Sequence, residues 1–573
     1  MDIRVWAPHA ATVAVRVDGS DTPLQPDVDG WWDGLDLPAG TDYAFVLDGG
    51  PPRPDPASRW QPHGVHEASR VYDQHSYRWQ DGDWRGRDLT GAIVYELHVG
   101  TFTPGATLDS AIERLDHLVA LGVTHVELLP VSAVNGVWNW GYDGVGWYAV
   151  HEPYGGPDAL KRFVDAAHAH GLAVVLDVVY NHVGASGNYL PEFGPYLKAG
   201  RNTWGDFVNF AEPAVRRFVL DNAQMWLRDF HVDGLRLDAV HAIVDEAPTH
   251  ILAELAAEVD ALAERLGRPL SLIAESDLND PVMITPRPAG YGLTAQWDDD
   301  VHHALHALLT GERQGYYCDF GSLRVLAKVL ARAFLHDGTH SSFRGREHGR
   351  RVDVARTEAW RFVVCLQNHD QVGNRAAGER LTELTSPSLL RVGAVLLLTA
   401  PFTPMLWMGE EWGATTRWPF FTSHPQPDLA RAVGPGRLAE FDGYGWDESQ
   451  MIDPQEPAAY RKAILDWSEP TREPHTAVLA LYRALIRLRR AEPDLTDPDL
   501  RHVEVGYDEA ARWVVVHRGS LHVAANLAEA AQVVPVPAGR VLLATASATL
   551  EENGVRLDGE SAAIIRLAPA SPR

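Results

Sequence analysis

The chain has 573 residues, 45% of them apolar and 22% charged, which is the make-up of an ordinary globular protein and excludes a disordered or fibrous one. Its 50 Lys and Arg against 77 Asp and Glu give a net charge of −27, which argues against non-specific binding to nucleic acid or to anionic membranes. Two cysteines, Cys318 and Cys365, cannot form a disulfide framework and fit a reducing compartment.

The first residues, Met1 to Pro8, lack the apolar run of a signal peptide, so a soluble cytoplasmic protein is expected. Residues 1–88 read as a small β-sandwich. Val13, Val15 and Val17 alternate, as do Tyr43, Phe45 and Leu47, with Gly, Pro and Asp turns between them.

From residue 89 a helix–glycine–strand unit recurs. Leu108 to Val119 keep helical spacing before Gly122 and the apolar run 123–129. Leu160 to Ala167 precede Gly171 and the run 172–179, and Val215 to Trp226 precede 232–238. Further strands are expected at 93–99, 270–275, 293–297, 362–367 and 404–408. Eight parallel strands with intervening helices predict a (β/α)₈ barrel over 89–495. That span exceeds the usual ~250 residues, so long loops must be inserted. The uncharged stretch Val392 to Gly409 contains Pro401 and Pro404 and reads as a buried helix end, a turn and a strand, not a membrane span. Residues 477–488 read as the last barrel helix. Short strands after 496, such as 513–517 and 521–525, predict a second small β domain over 496–573.

In such barrels the active site is built at the carboxyl ends of the strands. The third strand ends in Asp177-Val-Val-Tyr-Asn-His182, the fourth in Arg236-Leu-Asp238, the fifth in Glu275, and the seventh in Asn368-His-Asp370. Arg236 and Asp238 are two residues apart, so they share a face of their strand. A guanidinium keeps a neighbouring carboxylate ionised, as a nucleophile needs. Glu275 follows an apolar run and would lie near Asp238 and Asp370. Burial and like charge raise its pKa, which suits a general acid. Two carboxyls tuned in opposite directions point to glycoside hydrolysis.

These four segments, in this order, resemble the four sequence regions of the α-amylase family of glycoside hydrolases. The resemblance implies that Asp238 is the nucleophile, Glu275 the general acid/base and Asp370 the third carboxylate. It implies that Arg236 supports Asp238, that His182 and His369 bond the reacting sugar, and that Tyr142 stacks on it. Further sugar contacts are expected from His241, from Asp299 and His302 after the sixth strand, and from Gln371 and Asn374 after the seventh. The N-terminal domain is similar to the carbohydrate-binding-module-type sandwich of branching and debranching relatives. Finer features, among them Arg236 to His241, Ala274 to Asp280, Met408 to Gly413 and Phe441 to Trp446, are similar to the trehalose-releasing members. They imply cleavage of the α-1,4 bond next to the terminal trehalose of a malto-oligosyltrehalose or related α-glucan. The alternatives are a branching or debranching enzyme, or a non-catalytic glucan-binding protein.

Position 241 is His where amylases carry a Lys-His pair, and the loop after the third strand reads as short and without acidic calcium ligands. No metal and no cofactor are expected. His302, His303 and His306 lack a third ligand at metal spacing. The arginines between His340 and Arg351 read as a solvated or acid-paired lid. The 19 tryptophans outnumber both tyrosines and phenylalanines. Trp138, Trp140, Trp147, Trp204, Trp297, Trp407, Trp412 and Trp418 sit at or after strand ends, where a sugar-stacking rim is expected.

Overall fold

The computed structural model describes residues 1–200, 205–441 and 451–568. Trp204 and most of the Phe441 to Trp446 segment lie outside the described residues. Eight strands form the centre: β1 (Val94–Leu97), β2 (His125–Leu128), β3 (Ala173–Val178), β4 (Gly234–Leu237), β5 (Ser271–Ala274), β6 (Ala295–Trp297), β7 (Phe362–Cys365) and β8 (Thr403–Trp407). Each lies within a residue of the run expected for it. They pair in parallel and in chain order, and β8 returns to β1, closing the barrel. Every residue of the eight strands is buried, which is why they read as mostly apolar runs with a few polar residues set into them.

The helices follow their apolar spacing, with one difference. The helix expected from 108 breaks into Leu108–Ile112 and Leu115–Leu121. Gly122, at φ 101°, ends the second piece by donating its N–H to the Leu118 carbonyl. The stretch Val392 to Gly409 is the end of helix Pro387–Thr399, a turn, and β8, as expected. No helix among the described residues is long and apolar enough to cross a membrane.

The last barrel helix, His475–Ala491, buries Arg489 under the turn before β8. The guanidinium donates to the carbonyls of Leu398 (3.1 Å), Ala400 (2.7 Å) and Phe402 (2.6 Å). Each of these buried acceptors costs about 1–3 kcal/mol if left without a donor. Arg489→Met is therefore expected to destabilise the protein by about 3 kcal/mol or more, read as a lowered urea midpoint. An unchanged midpoint would show that the three carbonyls find other donors.

Before the barrel, strands 2–6, 25–26 and 31–36 form one sheet, and 13–17, 20–23, 42–47 and 52–53 another. After it, a five-stranded sheet carries strands 503–508 to 561–567 and faces a three-stranded one. The segment after the first sandwich clasps the amino-terminal end of the barrel. Trp84 stacks on His168 at 4.5 Å and donates to Asp233 at 2.7 Å, and Trp79 stacks on His231 at 3.8 Å. His168 lies between Asp81 (2.8 Å) and Asp233 (2.9 Å).

The connection after β3, expected to be short, is long. It runs over 179–212 and packs on the N-terminal sheets through Phe193 against Phe45 and Tyr196 against Trp6. Its length reflects this docking role, which alternation in the chain does not reveal.

Candidate active site

The carboxyl ends of the strands open into a cavity of about 820 Å³. Asp238, Glu275 and Asp370 all line it, with Tyr142, His182, His241, Asp299, His369, Gln371 and Asn374. Two predicted residues do not. Arg236 lies fully buried beneath the cavity, and His302 points away from it.

Arg236 organises the floor. Its Nη1 donates to Asp177 (2.8 Å) and to Asp238 Oδ1 (2.8 Å), and its Nη2 lies 3.0 Å from Glu275 Oε2. Asn181 Nδ2 donates to Asp238 Oδ2 at 2.7 Å, so both oxygens of Asp238 accept. Burial works to raise the Asp238 pKa, but Arg236, His182 and Asn181 outweigh it and hold the carboxyl below its ordinary value. Glu275 goes the other way. Burial dominates, and Asp238 and Asp370 add like charge, so its pKa rises well above 4.5 despite Arg236.

One backbone turn links the two carboxyls. Ala239, directly after Asp238, adopts φ 40° and ψ 49°, a left-handed conformation uncommon outside glycine, asparagine and aspartate. That turn aims its N–H at Glu275 Oε2, 2.6 Å away. A carboxyl that favours its charge beside one that favours its proton is the arrangement that a nucleophile and a general acid require.

The wall beside Asp238 is a hydrogen-bonded chain. Tyr142 Oη donates to Asp177 (2.6 Å) and lies 2.9 Å from His369 Nε2. The His182 ring reaches Asn181 Oδ1 (2.5 Å) and the Tyr142 carbonyl (2.9 Å). Burial lifts Asp177 to about 6 even with Arg236 beside it. Asp370 accepts from Asn374 Nδ2, and Gln371 Oε1 accepts from Tyr316 at 3.0 Å. This turn is the short helix His369–Gly373, capped by Asn368, whose Oδ1 accepts from the Gln371 N–H. A Cβ at Gly373 would lie 2.0 Å from the Trp140 ring, so only glycine lets the turn seat there.

Asp299 faces the cavity and is pushed up to about 7, by burial first and then by Asp370 and Asp277. His241 Nδ1 accepts from the Asp277 N–H at 3.3 Å. Residues 299–310 form a helix, which separates the three histidines. His302 and His306 stack on one buried face, while His303 reaches the cavity and stacks on Tyr316. His303, not His302, therefore faces the cavity. Among the described residues no cluster of three or more His, Cys, Asp or Glu is placed to hold a metal. The arginine-rich lid is acid-paired, with Arg344 on Asp277, Arg350 on Asp280 (3.3 Å) and Arg351 on Asp337 (3.7 Å).

The tryptophan rim is not what the structure builds. Of the described members, only Trp140 lines the cavity. Trp407, Trp412 and Trp418 are fully buried, and Trp147 nearly so. Trp138 stacks on Tyr460, and Trp297 covers the Arg236 guanidinium at 4.4 Å. Loop position marks where a ring starts, but the packing density behind the strands decides where it ends. Residues that spacing alone missed include Glu96, which bonds His369 from inside β1. A charged residue within an otherwise apolar strand is the signal that could have found it.

Residues 75–207 match the family described as α-amylase, catalytic domain, and 498–564 match a domain of unknown function, DUF3459. The chain is 56% identical to the malto-oligosyltrehalose trehalohydrolase of Arthrobacter ramosus, over 98% of this chain and 99% of that one. A 1,4-α-glucan branching enzyme of Vibrio parahaemolyticus is 35% identical over only 42% of this chain and 36% of its own length. A Salmonella typhimurium crystal structure, provisionally described as an α-amylase, superimposes with a TM-score of 0.91 at 37% identity, covering 99% of this chain and 97% of that one.

Proposed function

Because this chain belongs to the malto-oligosyltrehalose trehalohydrolases of the α-amylase family, we propose that it is a retaining glycoside hydrolase acting on malto-oligosyltrehalose. It cleaves the α-1,4 bond next to the terminal trehalose and releases trehalose and a malto-oligosaccharide. The observation that carries this reading is full-length similarity joined to Asp238 and Glu275 on one buried arginine, with Asp370 lining the same cavity.

Asp238, held ionised, attacks the anomeric carbon while Glu275 protonates the departing glycosidic oxygen. Glu275, now a base, takes a proton from water, which displaces Asp238 and restores the enzyme. Asp370, bonded by Asn374, holds sugar hydroxyls. His182, His369 and Tyr142 contact the reacting sugar, and Asp299, His303, His241, Gln371 and Asn374 supply polar groups around it. Domain limits at 88/89 and 495/496 fit the change from sandwich to barrel and back. A reducing, cytoplasmic setting fits the two unpaired thiols, Cys318 and Cys365.

Digestion of maltotriosyltrehalose and, separately, of amylopectin tests the reading. Free trehalose from the first, with the branch content of the second unchanged, is the expected result. Branches formed or removed in amylopectin without trehalose release would overturn it in favour of the branching or debranching alternative.

A further inference from the structure

Strands β1 and β2 each carry a glutamate at the same register position inside the barrel wall. Glu96 and Glu127 are paired neighbours, both essentially inaccessible to solvent. Two adjacent carboxyls in an apolar interior do not both ionise. Burial, and then Glu96, push the Glu127 carboxyl well above its ordinary value. Among the described residues Glu127 Oε2 has no hydrogen-bond partner, which a neutral carboxyl tolerates better than an anion. The proton of the pair is thus favoured on Glu127, while both oxygens of Glu96 act as acceptors.

Both Glu96 oxygens serve one residue. Its Oε1 accepts from His369 Nδ1 at 2.5 Å and its Oε2 accepts from the His369 backbone N–H at 3.0 Å. We propose that Glu96 is a positioning residue for hydrolysis, whose two oxygens grip the ring and backbone of His369 and so fix Nε2 as the hydrogen-bond donor to Tyr142 Oη in the wall of the sugar site. The inference rests on the hydrolase reading above.

Proton counting along the chain supports it. Asp177, paired with Arg236, needs the single proton of Tyr142 Oη for its 2.6 Å bond. Tyr142 then has only a lone pair to offer His369 Nε2, 2.9 Å away, so Nε2 must bear hydrogen. Nδ1 also bears hydrogen, because it faces a carboxylate oxygen. Both nitrogens are protonated only in the imidazolium. The groups that set this charge are Glu96, Asp370, Asp177 and Tyr142 on one side and Arg236 and His98 on the other. Burial opposes the charge, yet Glu96 and Asp370 leave His369 above its ordinary value. The ring is also immobilised. Tyr142 stacks on it at 5.2 Å, and Trp140, Trp297, Trp407 and Trp418 surround it at 5.8–6.4 Å.

Two measurements test the proposal. The first needs no substrate: nitrogen-15 spectra of histidine-labelled wild type, with His369→Gln used only to assign the signal. His369 should show two protonated ring nitrogens from pH 7 to 8, where Asp177 is ionised. A neutral ring at pH 7 would overturn the proposal whatever the enzyme hydrolyses, and wild-type turnover of maltotriosyltrehalose judges the hydrolase reading separately. The second is Glu96→Gln. An amide offers one acceptor where the carboxylate offers two, so it cannot serve ring and backbone together. We expect kcat to fall about 10- to 100-fold with KM little changed, the loss expected from misplacing a group at the reacting centre. The deficit should deepen as pH rises from 5 to 8, because a ring without its carboxylate loses its proton in that range. A deficit independent of pH would mark Glu96 as merely structural. Glu127→Gln mimics a neutral carboxyl and should stay within about twofold of wild type. An equal loss there would overturn the division of charge between the two glutamates. If Glu96→Gln fails to fold, the wild-type spectra still decide.

Discussion

Asp238→Ala is expected to lower kcat on maltotriosyltrehalose by about 10⁴- to 10⁶-fold, the scale on which loss of a nucleophile is felt in covalent catalysis. The argument rests on what surrounds the carboxylate. Both oxygens accept hydrogen bonds, from Arg236 and Asn181, so the group is ionised and aimed without any change of conformation. The two carboxyls that share Arg236 with it are not placed to substitute for it. Asp177 is occupied by Arg236 and Tyr142, and burial disfavours the charged form of Glu275. The fold should survive, because Arg236 keeps Asp177 on Nη1 and Glu275 near Nη2 and is not left as an unpaired buried charge. Turnover measured beside a thermal melt checks both halves. Near-normal kcat, or a collapsed melting transition, would each contradict the assignment.

Glu275→Gln is expected to cost about 10²- to 10⁴-fold in kcat on the same substrate, the usual worth of a positioned general acid. The loss should depend on the leaving group. A maltosyl fluoride needs no protonation to depart, so the variant should form the glycosyl-enzyme from it and then stall without its base. Mass spectrometry would show the adduct on Asp238. Failure to form that adduct from the fluoride would sink the acid/base role.

The same pair fixes the pH profile. The first step needs Asp238 ionised and Glu275 protonated. Asp238 lies below its ordinary value of 3.8, so activity falls on the acid side only below that range. Glu275 lies well above 4.5, so the active form persists as pH rises and is lost as pH passes the raised value. The kcat/KM profile should therefore be a broad bell extending far above the range of an ordinary glutamate.

The barrel was legible because its strands are parallel and covered on both faces. Their residues can be almost uniformly apolar, and the few polar ones stand out at the ends. Arg236, Asp238, Glu275 and Asp370 were readable for that reason. Three things were not. The tryptophans could be placed in loops, but whether a ring faces cavity or core depends on neighbours far away in sequence. Trp418, for example, is held by Thr101, 317 positions earlier. The histidine at 303 rather than 302 became visible only when 299–310 proved helical, since adjacent residues on a helix face different ways. Glu96 was hidden because its partner, His369, comes from the opposite end of the barrel sequence.

The turn at Ala239 has a stereochemical consequence. Retention requires the two carboxyls to sit about 5–5.5 Å apart, whereas inversion needs about 6.5–9.5 Å to admit a water molecule between them and the sugar. Here the acid is tethered to the main-chain amide that immediately follows the nucleophile. The spacing is thus written into the peptide backbone, not into the length of a side chain. Exchanging one carboxylic acid for another leaves the tether's anchor in place, so the anomeric outcome belongs to the curvature of the chain at a single alanine.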